Sequence, residues 1–237
     1  MDFYKLEATG NDFILILNDL NTSLDIKKLC NRHEGIGADG LILIDSYFNI
    51  KIYNSDGSEA KMCGNGMRCV CKLLNHLTKK NEFNVFLNQN KIPLKQIDDN
   101  TANVLMPQPI MITYENGYFV TLLNNHYIIL THHLDHFQFD DTLINISINH
   151  HCNVHAVEII NQKEIKMKSY EYGVGRTKSC GSGSVATFFT LYMLNKVNQK
   201  VNIIQEGGIV TCLCKNNQYY IQGNVNLVYK GELIYGI

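Results

Sequence analysis

Net charge is almost absent from this chain: 21 Lys and Arg stand against 22 Asp and Glu over 237 residues, a formal charge of −1. That balance excludes the basic footprint by which a protein holds nucleic acid and the polybasic patch by which it holds an anionic membrane surface. Long apolar runs are missing as well. The N-terminal stretch carries Asp2, Glu7 and Asp12, and its longest apolar run is Phe13–Leu17, far short of a secretion signal or a membrane span. A cytoplasmic protein acting on a small molecule is expected. Proline occurs only three times, and Pro107 and Pro109 form the single Pro-x-Pro segment. Among eight cysteines there is no Cys-x-x-Cys pair, and without a secretion signal Cys30, Cys63, Cys69, Cys71, Cys152, Cys180, Cys212 and Cys214 are expected to stay reduced. Cys69, Cys71, Cys212 and Cys214 read as packing thiols, because a buried thiol behaves as a small hydrophobe.

What is present is a repeat. Met62-Cys63-Gly64-Asn65-Gly66-Met67 and Ser179-Cys180-Gly181-Ser182-Gly183-Ser184 each set a cysteine before a Gly-x-Gly turn, one copy in each half of the chain. Both lead into apolar-periodic segments without proline. Met67, Val70, Leu73, Leu74 and Leu77 give the first an apolar face, predicting a helix from Gly64 to Lys80. The second, from Ser182 to about Asn195, is apolar nearly all round and predicts a helix buried within a wrapped sheet. Each cysteine then stands where helix amides converge without intrahelical partners.

Around these corners the chain reads mainly as short strands. Gly10-Asn11-Asp12 turns into a strand at Phe13–Leu17, a helix follows over Ser23–His33, and strands recur at Leu41–Ile44, at Lys51–Tyr53 and in pieces from Phe83 to Met106. In the second half, strands are predicted at Tyr118–Leu123, His126–Leu130, Asn145–Ile148, Val154–Ile160 and Glu164–Tyr170, with more at the C-terminus. The Pro-x-Pro segment marks a domain boundary, giving an N-terminal domain over residues 1–109 and a C-terminal domain over 110–227. A final strand, about 228–237, returns to the first.

The corners suit one kind of chemistry. Removing the α-proton of an amino acid builds a carbanion beside a carboxylate that is already charged, so the stabilisation has to come from aimed dipoles. The amides of Gly64-Asn65 and Gly181-Ser182 are placed to bind that carboxylate, and such preorganised donors are worth roughly 2.7–4 kcal/mol each. A thiol's pKa of about 8.5 is expected to fall at a helix N-terminus, favouring the thiolate that serves as base. One thiolate and one thiol on opposite faces of one carbon invert it, with no metal and no pyridoxal cofactor.

Asn54-Ser55-Asp56-Gly57-Ser58-Glu59 together with Met62-Cys63-Gly64-Asn65-Gly66-Met67-Arg68-Cys69 resembles the first signature of the diaminopimelate epimerase family. Gly10-Asn11-Asp12-Phe13, His33-x-Gly35-x-Gly37-x-Asp39-Gly40 and Gly173-Val174-Gly175-x-Thr177-x-x-Cys180-Gly181-Ser182-Gly183 carry the resemblance across nearly the whole chain. It implies an α+β fold of two pseudo-symmetric domains, each a mostly antiparallel or mixed curled sheet around a central helix, with the active site in the interdomain cleft. It also implies a homodimer. In the L,L to meso direction Cys63 would be the proton donor and Cys180 the proton acceptor. Asn11, Asn54, Gly64, Asn65, Asn124, Asn153, Gly181 and Ser182 would contact the substrate, while His126 and Glu171 would tune the thiols. Three departures are visible. Tyr172, in Glu171-Tyr172-Gly173, stands where the family has the arginine for the distal carboxylate, and so falls at a substrate-binding position, with Arg176 nearby in the same loop. Asn125 replaces a proline, and the second half is shortened.

Two alternatives compete. One is a racemase of another amino acid in the same two-thiol superfamily. The other is a redox sensor or metal-binding protein using the cysteines and His132, His133, His136, His150, His151, Cys152 and His155, although no stretch of sequence gives a closed set of four ligands.

Overall fold

The computed structural model describes residues 1–18, 20–114, 116–122 and 124–234. The first half runs β1 (Asp2–Ala8), β2 (Asn11–Leu17), α1 (Ile26–Cys30), β3 (Gly40–Ile44), β4 (Asn49–Asn54), α2 (Gly64–Thr78), β5 (Glu82–Leu87), β6 (Asn90–Asp98) and β7 (Thr101–Met106). The second runs β8 (Ile110–Tyr114), β9 (Gly117–Leu122), β10 (Asn124–Leu130), α3 (Asp141–His150), β11 (Cys152–Asn161), β12 (Glu164–Glu171), β13 (Gly175–Thr177), α4 (Gly181–Met193), β14 (Lys200–Gln205), β15 (Gly208–Lys215), β16 (Gln218–Asn224) and β17 (Asn226–Glu232). The chain forms two compact units, Met1–Val104 with Gly223–Ile237, and Leu105–Gln222. No helix among the described residues is long and apolar enough to cross a membrane.

In the first unit the strands pair in the order β17-β1-β2-β3-β4-β5-β6-β7. All contacts are antiparallel except β2–β3 and β4–β5. Parallel neighbours need a crossover, and those two crossovers carry α1 and α2. The second unit follows the same scheme: β8–β9, β9–β10, β11–β12 and β14–β15 are antiparallel, while β10–β11 and β12–β14 are parallel. Its crossovers carry α3 and α4. The repeat seen in two hexapeptides is therefore a repeat of whole strand order.

Each unit packs a helix on its own sheet. In the first, α2 lies against β1, β2, β5, β6 and β17, with Met67, Val70, Leu73 and Leu74 buried. In the second, α4 lies against β9, β10, β11 and β15, and every residue from Gly181 to Leu191 is buried. Burying Leu, Val, Phe and Met side chains contributes about 1.5–3 kcal/mol each. The packing reading of Cys69, Cys71, Cys212 and Cys214 agrees with their burial, and loss of solvation pushes the Cys71 thiol up to about 12.

Several elements differ from the sequence expectation. The opening segment begins with β1, which was not anticipated, and it joins β2 through Thr9 and Gly10, both at positive φ (55° and 76°), as a two-residue hairpin turn requires. Helix α1 is shorter than Ser23–His33. Asp25 caps its start by accepting from the Lys28 amide, and Asn31 ends it by turning its side-chain oxygen Oδ1 onto the amides of His33 and Glu34. The expected strand at Asn145–Ile148 lies inside α3. Its alternating isoleucines imitate a strand, but Asp140 accepts from the Leu143 amide at 2.9 Å, and Leu143 and Ile146 pack beside Val154 of β11. The strand expected over Tyr118–Leu123 runs to Leu122, Leu123 being outside the described residues, as are positions 235–237 of the expected C-terminal strand.

The start of β2 is fixed by charge. Asp12 receives Lys5 at 2.7 Å and Arg32 at 2.6 Å, and Arg32 also reaches Asp39 at 2.8 Å. Lys5 is 9% exposed and Asp12 19%, so this pair is largely shielded from solvent. Burial opposes ionisation of Asp12, yet the bonds from Arg32 and Lys5 win and hold its carboxyl well below the usual range. Burial and its neighbour Asp12 push Asp39 the other way. A depressed carboxyl contributes stability above its unfolded pKa of about 3.9 and loses it as pH falls toward the folded value, while Asp39 opposes part of that loss. Asp12→Asn should therefore destabilise the protein at pH 7 by up to about 3 kcal/mol, as expected for breaking a shielded pair. Urea unfolding at a series of pH values should show the gap from wild type closing as pH falls from 5 toward 2.

Candidate active site

Both cysteines occupy the N-cap of a helix in almost the same backbone conformation, Cys63 at φ −142°, ψ 108° and Cys180 at φ −124°, ψ 107°. The first intrahelical bonds run from Met67 N to Cys63 O and from Ser184 N to Cys180 O, both 2.9 Å. The amides of Gly64, Asn65, Gly181 and Ser182 precede those bonds and lie in the first turn, where helix donors lack helix acceptors.

The corner in the first unit is braced from behind. Cys63 Sγ accepts from the Gly66 amide at 3.3 Å. Asn65 is buried, its side-chain oxygen accepting from Arg68 at 2.7 Å, and Arg68 also donates to Thr9 Oγ1 of the β1–β2 turn. The Asn65 side-chain oxygen is thereby committed to the bracing contact. Asn11 opens β2 and carries a buried Oδ1 with no hydrogen-bond partner among the described residues, an acceptor unanswered by protein. Asn54 ends β4 and is exposed, with its amide nitrogen donating to Ser58 Oγ at 2.9 Å within its own turn.

In the second unit the surroundings of Cys180 are denser. Its thiol donates to Glu171 Oε2 at 3.3 Å, its sulfur lies 3.7 Å from Ser182 Oγ, and its backbone amide donates to Gln205 Oε1 at 2.9 Å. Thr177 Oγ1 fixes the other Glu171 oxygen at 2.5 Å. The expectation that the helix terminus depresses this thiol's pKa is overturned here. Loss of solvation and the adjacent Glu171 charge push Cys180 well up, against the weaker pull of the Gly183 amide and Ser182. Burial also raises Glu171, offset in part by its bonds from Thr177 and Cys180. Cys180 therefore rests as a thiol beside a carboxylate able to receive its proton.

Behind this corner stand two fully buried histidines. His126 Nδ1 and His155 Nε2 are 2.9 Å apart, and His155 Nδ1 lies 2.9 Å from Ser169 Oγ. Burial pushes His126 down to about 3 and holds His155 well below its usual value, so both imidazoles are neutral. The sequence points to His126 but offers His155 only within the candidate metal-binding group of histidines and Cys152, and it does not single out Ser169, Thr177 or Gln205 as site residues. The signal was the position of His155 two residues after Asn153 on one strand face. The β10–β11 register supplies the rest: His126 lies opposite Asn153, so His155 falls diagonally on the same face. His132, His133, His136, His150 and His151 are exposed, and the only group of three potential ligands among the described residues takes none of them.

The remaining candidates hold local structure. Asn153 Oδ1 accepts from the Tyr172 amide at 3.0 Å, and the Tyr172 ring meets His151 edge-on at 5.0 Å. Arg176 is paired with Glu206 at 2.9 Å rather than standing alone as a replacement cation. Asn124 is the first residue of β10, the strand that corresponds to β2 in strand order.

Solved structures share this fold. A predicted epimerase from Pseudomonas aeruginosa superposes with a TM-score of 0.82 at 10% identity, covering 99% of each chain. A hydroxyproline epimerase from Agrobacterium vitis gives 0.71 at 12%, covering 98% of this chain and 90% of its own. At these identities the likeness is one of fold. Sequence supplies the family. The diaminopimelate epimerase family model matches residues 3–112 and 124–228. The diaminopimelate epimerases of Blochmanniella pennsylvanica and Campylobacter jejuni (serotype O:6) are 32% and 33% identical, each alignment covering 98% of this chain and at least 98% of the relative. The chain belongs to the diaminopimelate epimerase family.

A Cβ at Gly183 would lie 2.2 Å from His155 Cε1, so Gly183→Ala should destabilise by about 1–3 kcal/mol through overpacking, and His155→Gly in the same chain should recover part of that loss in urea unfolding. Because the Glu171 charge disfavours the Cys180 thiolate, Glu171→Gln in a Cys63→Ser background should move the pH midpoint of Cys180 alkylation downward. An unchanged or higher midpoint contradicts the assignment.

Proposed function

We propose that this protein is a cofactor-independent epimerase that interconverts L,L- and meso-diaminopimelate by proton transfer between Cys63 and Cys180, serving lysine and cell-wall precursor synthesis. The observation that supports it most is the end-to-end family match combined with two cysteines in one N-cap conformation, each opening a helix. The chemistry needs a thiolate on one face of the α-carbon and a thiol on the other. Cys180 becomes the acceptor by passing its proton to Glu171 Oε2, across the 3.3 Å contact. Cys63 then donates from the opposite face, and the reverse reaction exchanges the roles.

The substrate carboxylate sits on the first-turn amides of Gly64, Asn65, Gly181 and Ser182. Four oriented dipoles stabilise the enolate-like charge there without a metal or a pyridoxal ring. Asn11 supplies its unanswered acceptor to a substrate N–H. Asn54, Asn124, Asn153 and Tyr172 complete the contacts, the last with one neutral hydrogen bond where a guanidinium would give a charged pair. His126, neutral and buried, sets the polarity behind Cys180. The enzyme works in the cytoplasm as a homodimer, without nucleic-acid or membrane partners.

One observation favours a second reading, a racemase of another amino acid: Tyr172 replaces the family arginine, and Arg176 is already engaged by Glu206. Incubation with a panel of L-amino acids in heavy water separates the two, because only the true substrate exchanges its α-proton. Diaminopimelate should exchange, and Cys63→Ser and Cys180→Ser should each lower its turnover by about 10²-fold or more, as for loss of a positioned acid or base. Exchange confined to another amino acid would transfer the assignment to that substrate.

A further inference from the structure

The catalytic proposal above uses His126 only as a neighbour of Cys180 and leaves His155 and Ser169 without a task. One ring nitrogen of His126, one of His155 and the sulfur of Cys180 lie within 4.8 Å of one another, and all three residues are buried. We propose that these three side chains form a binding site for a divalent transition-metal ion of zinc type, and that occupancy silences Cys180.

Three features of the second unit support a built site rather than a chance cluster. The first is the donor set. Two neutral imidazoles and one thiolate suit zinc, whose bonds of about 2.0–2.1 Å to nitrogen and 2.3 Å to sulfur put tetrahedral ligand atoms about 3.3–3.6 Å apart. His126 Nδ1 and His155 Nε2, now 2.9 Å apart at their shared hydrogen bond, need to separate by a few tenths of an ångström, while the Cys180 sulfur closes in from within the 4.8 Å span of the cluster. The second is enclosure: His126 and His155 are fully buried and Cys180 is nearly so, and the ring nitrogens facing each other, His126 Nδ1 and His155 Nε2, are the ones that present lone pairs to the ion. The third is the outer layer. Ser169 Oγ holds His155 Nδ1 at 2.9 Å, the kind of bond that fixes the tautomer and orientation of a metal-binding histidine. Gly183 in turn leaves space for the ring, since any side chain there would overlap it.

Binding costs one proton. The Cys180 S–H bond breaks, its proton passes to solvent, and the sulfur lone pair forms the metal bond, while the imidazoles coordinate neutral and lose nothing. No electron is transferred. With its sulfur committed to the cation, Cys180 can neither take nor return an α-proton. Three protein ligands leave a fourth position for water or a substrate carboxylate. Binding depends only on the cluster, whereas the loss of turnover rests on the proposed role of Cys180.

Titration of the full-length reduced protein with Co²⁺, read by thiolate-to-cobalt charge-transfer absorption, tests the site directly. One ion per chain is expected. His155→Ala and Cys180→Ser should weaken binding at least tenfold, and Ser169→Ala, which leaves all three ligands in place, should weaken it severalfold. In parallel, Zn²⁺ should inhibit diaminopimelate turnover reversibly, with a chelator restoring the rate. His155→Ala should need at least tenfold more Zn²⁺ for half-inhibition of its own uninhibited rate. A folded wild type with no charge-transfer band at one equivalent, or a band surviving both His155→Ala and Cys180→Ser, overturns the site. Metal binding without turnover of diaminopimelate supports the site and defeats the epimerase reading. Turnover without metal binding does the reverse.

Discussion

A cysteine held in extended conformation one residue before a helix is the constraint on which this structure turns. At that position the sulfur and the first amides of the helix must face the same space, because the strand-like φ and ψ of the cap aim the side chain across the helix mouth. The Gly-x-Gly sequence then keeps the first turn narrow. In the second unit this has a visible cost, since Gly183 is the only residue type that fits against the His155 ring. The mixed sheets supply the rest: their parallel pairs at β4–β5 and β12–β14 demand crossovers, and α2 and α4 are those crossovers. The corner is thus a product of topology as much as of motif.

The surroundings of Cys180 show how burial overrides a helix terminus. A first-turn amide favours a thiolate by a modest amount that fades within one turn. Taking the sulfur out of water and placing it against Glu171 works in the other direction and prevails. A resting thiol with a carboxylate on its proton is a sound starting point for a base that has to be uncovered only when substrate is present. The neutral histidines behind it add no positive charge that would hold a thiolate permanently.

Much of this arrangement was legible in the sequence because it is local. The two hexapeptides located α2 and α4, and the runs at Phe13–Leu17, Leu41–Ile44 and Glu164–Tyr170 located strands through their apolar content. Where local pattern and tertiary demand part company, reading failed. Ile144, Ile146 and Ile148 alternate like a strand, but the parallel pairing of β10 with β11 requires a crossover there, and the segment is helical. The match between the two halves held the clue, since α1 occupies the same place between β2 and β3. The His126–His155 pair was invisible for a similar reason: it depends on a strand register between residues 29 apart. The direction of the Cys180 shift was hidden too, because desolvation is a property of the whole unit rather than of neighbouring residues.

Two sulfurs acting from opposite faces of one α-carbon leave a signature in the distribution of isotope after reaction in heavy water. With L,L-diaminopimelate as substrate, initial product should carry deuterium at the inverted carbon while unreacted substrate stays unlabelled, because each face has its own proton carrier. Label entering recovered substrate and product equally, or undiminished inversion by Cys180→Ser, would contradict the two-thiol account.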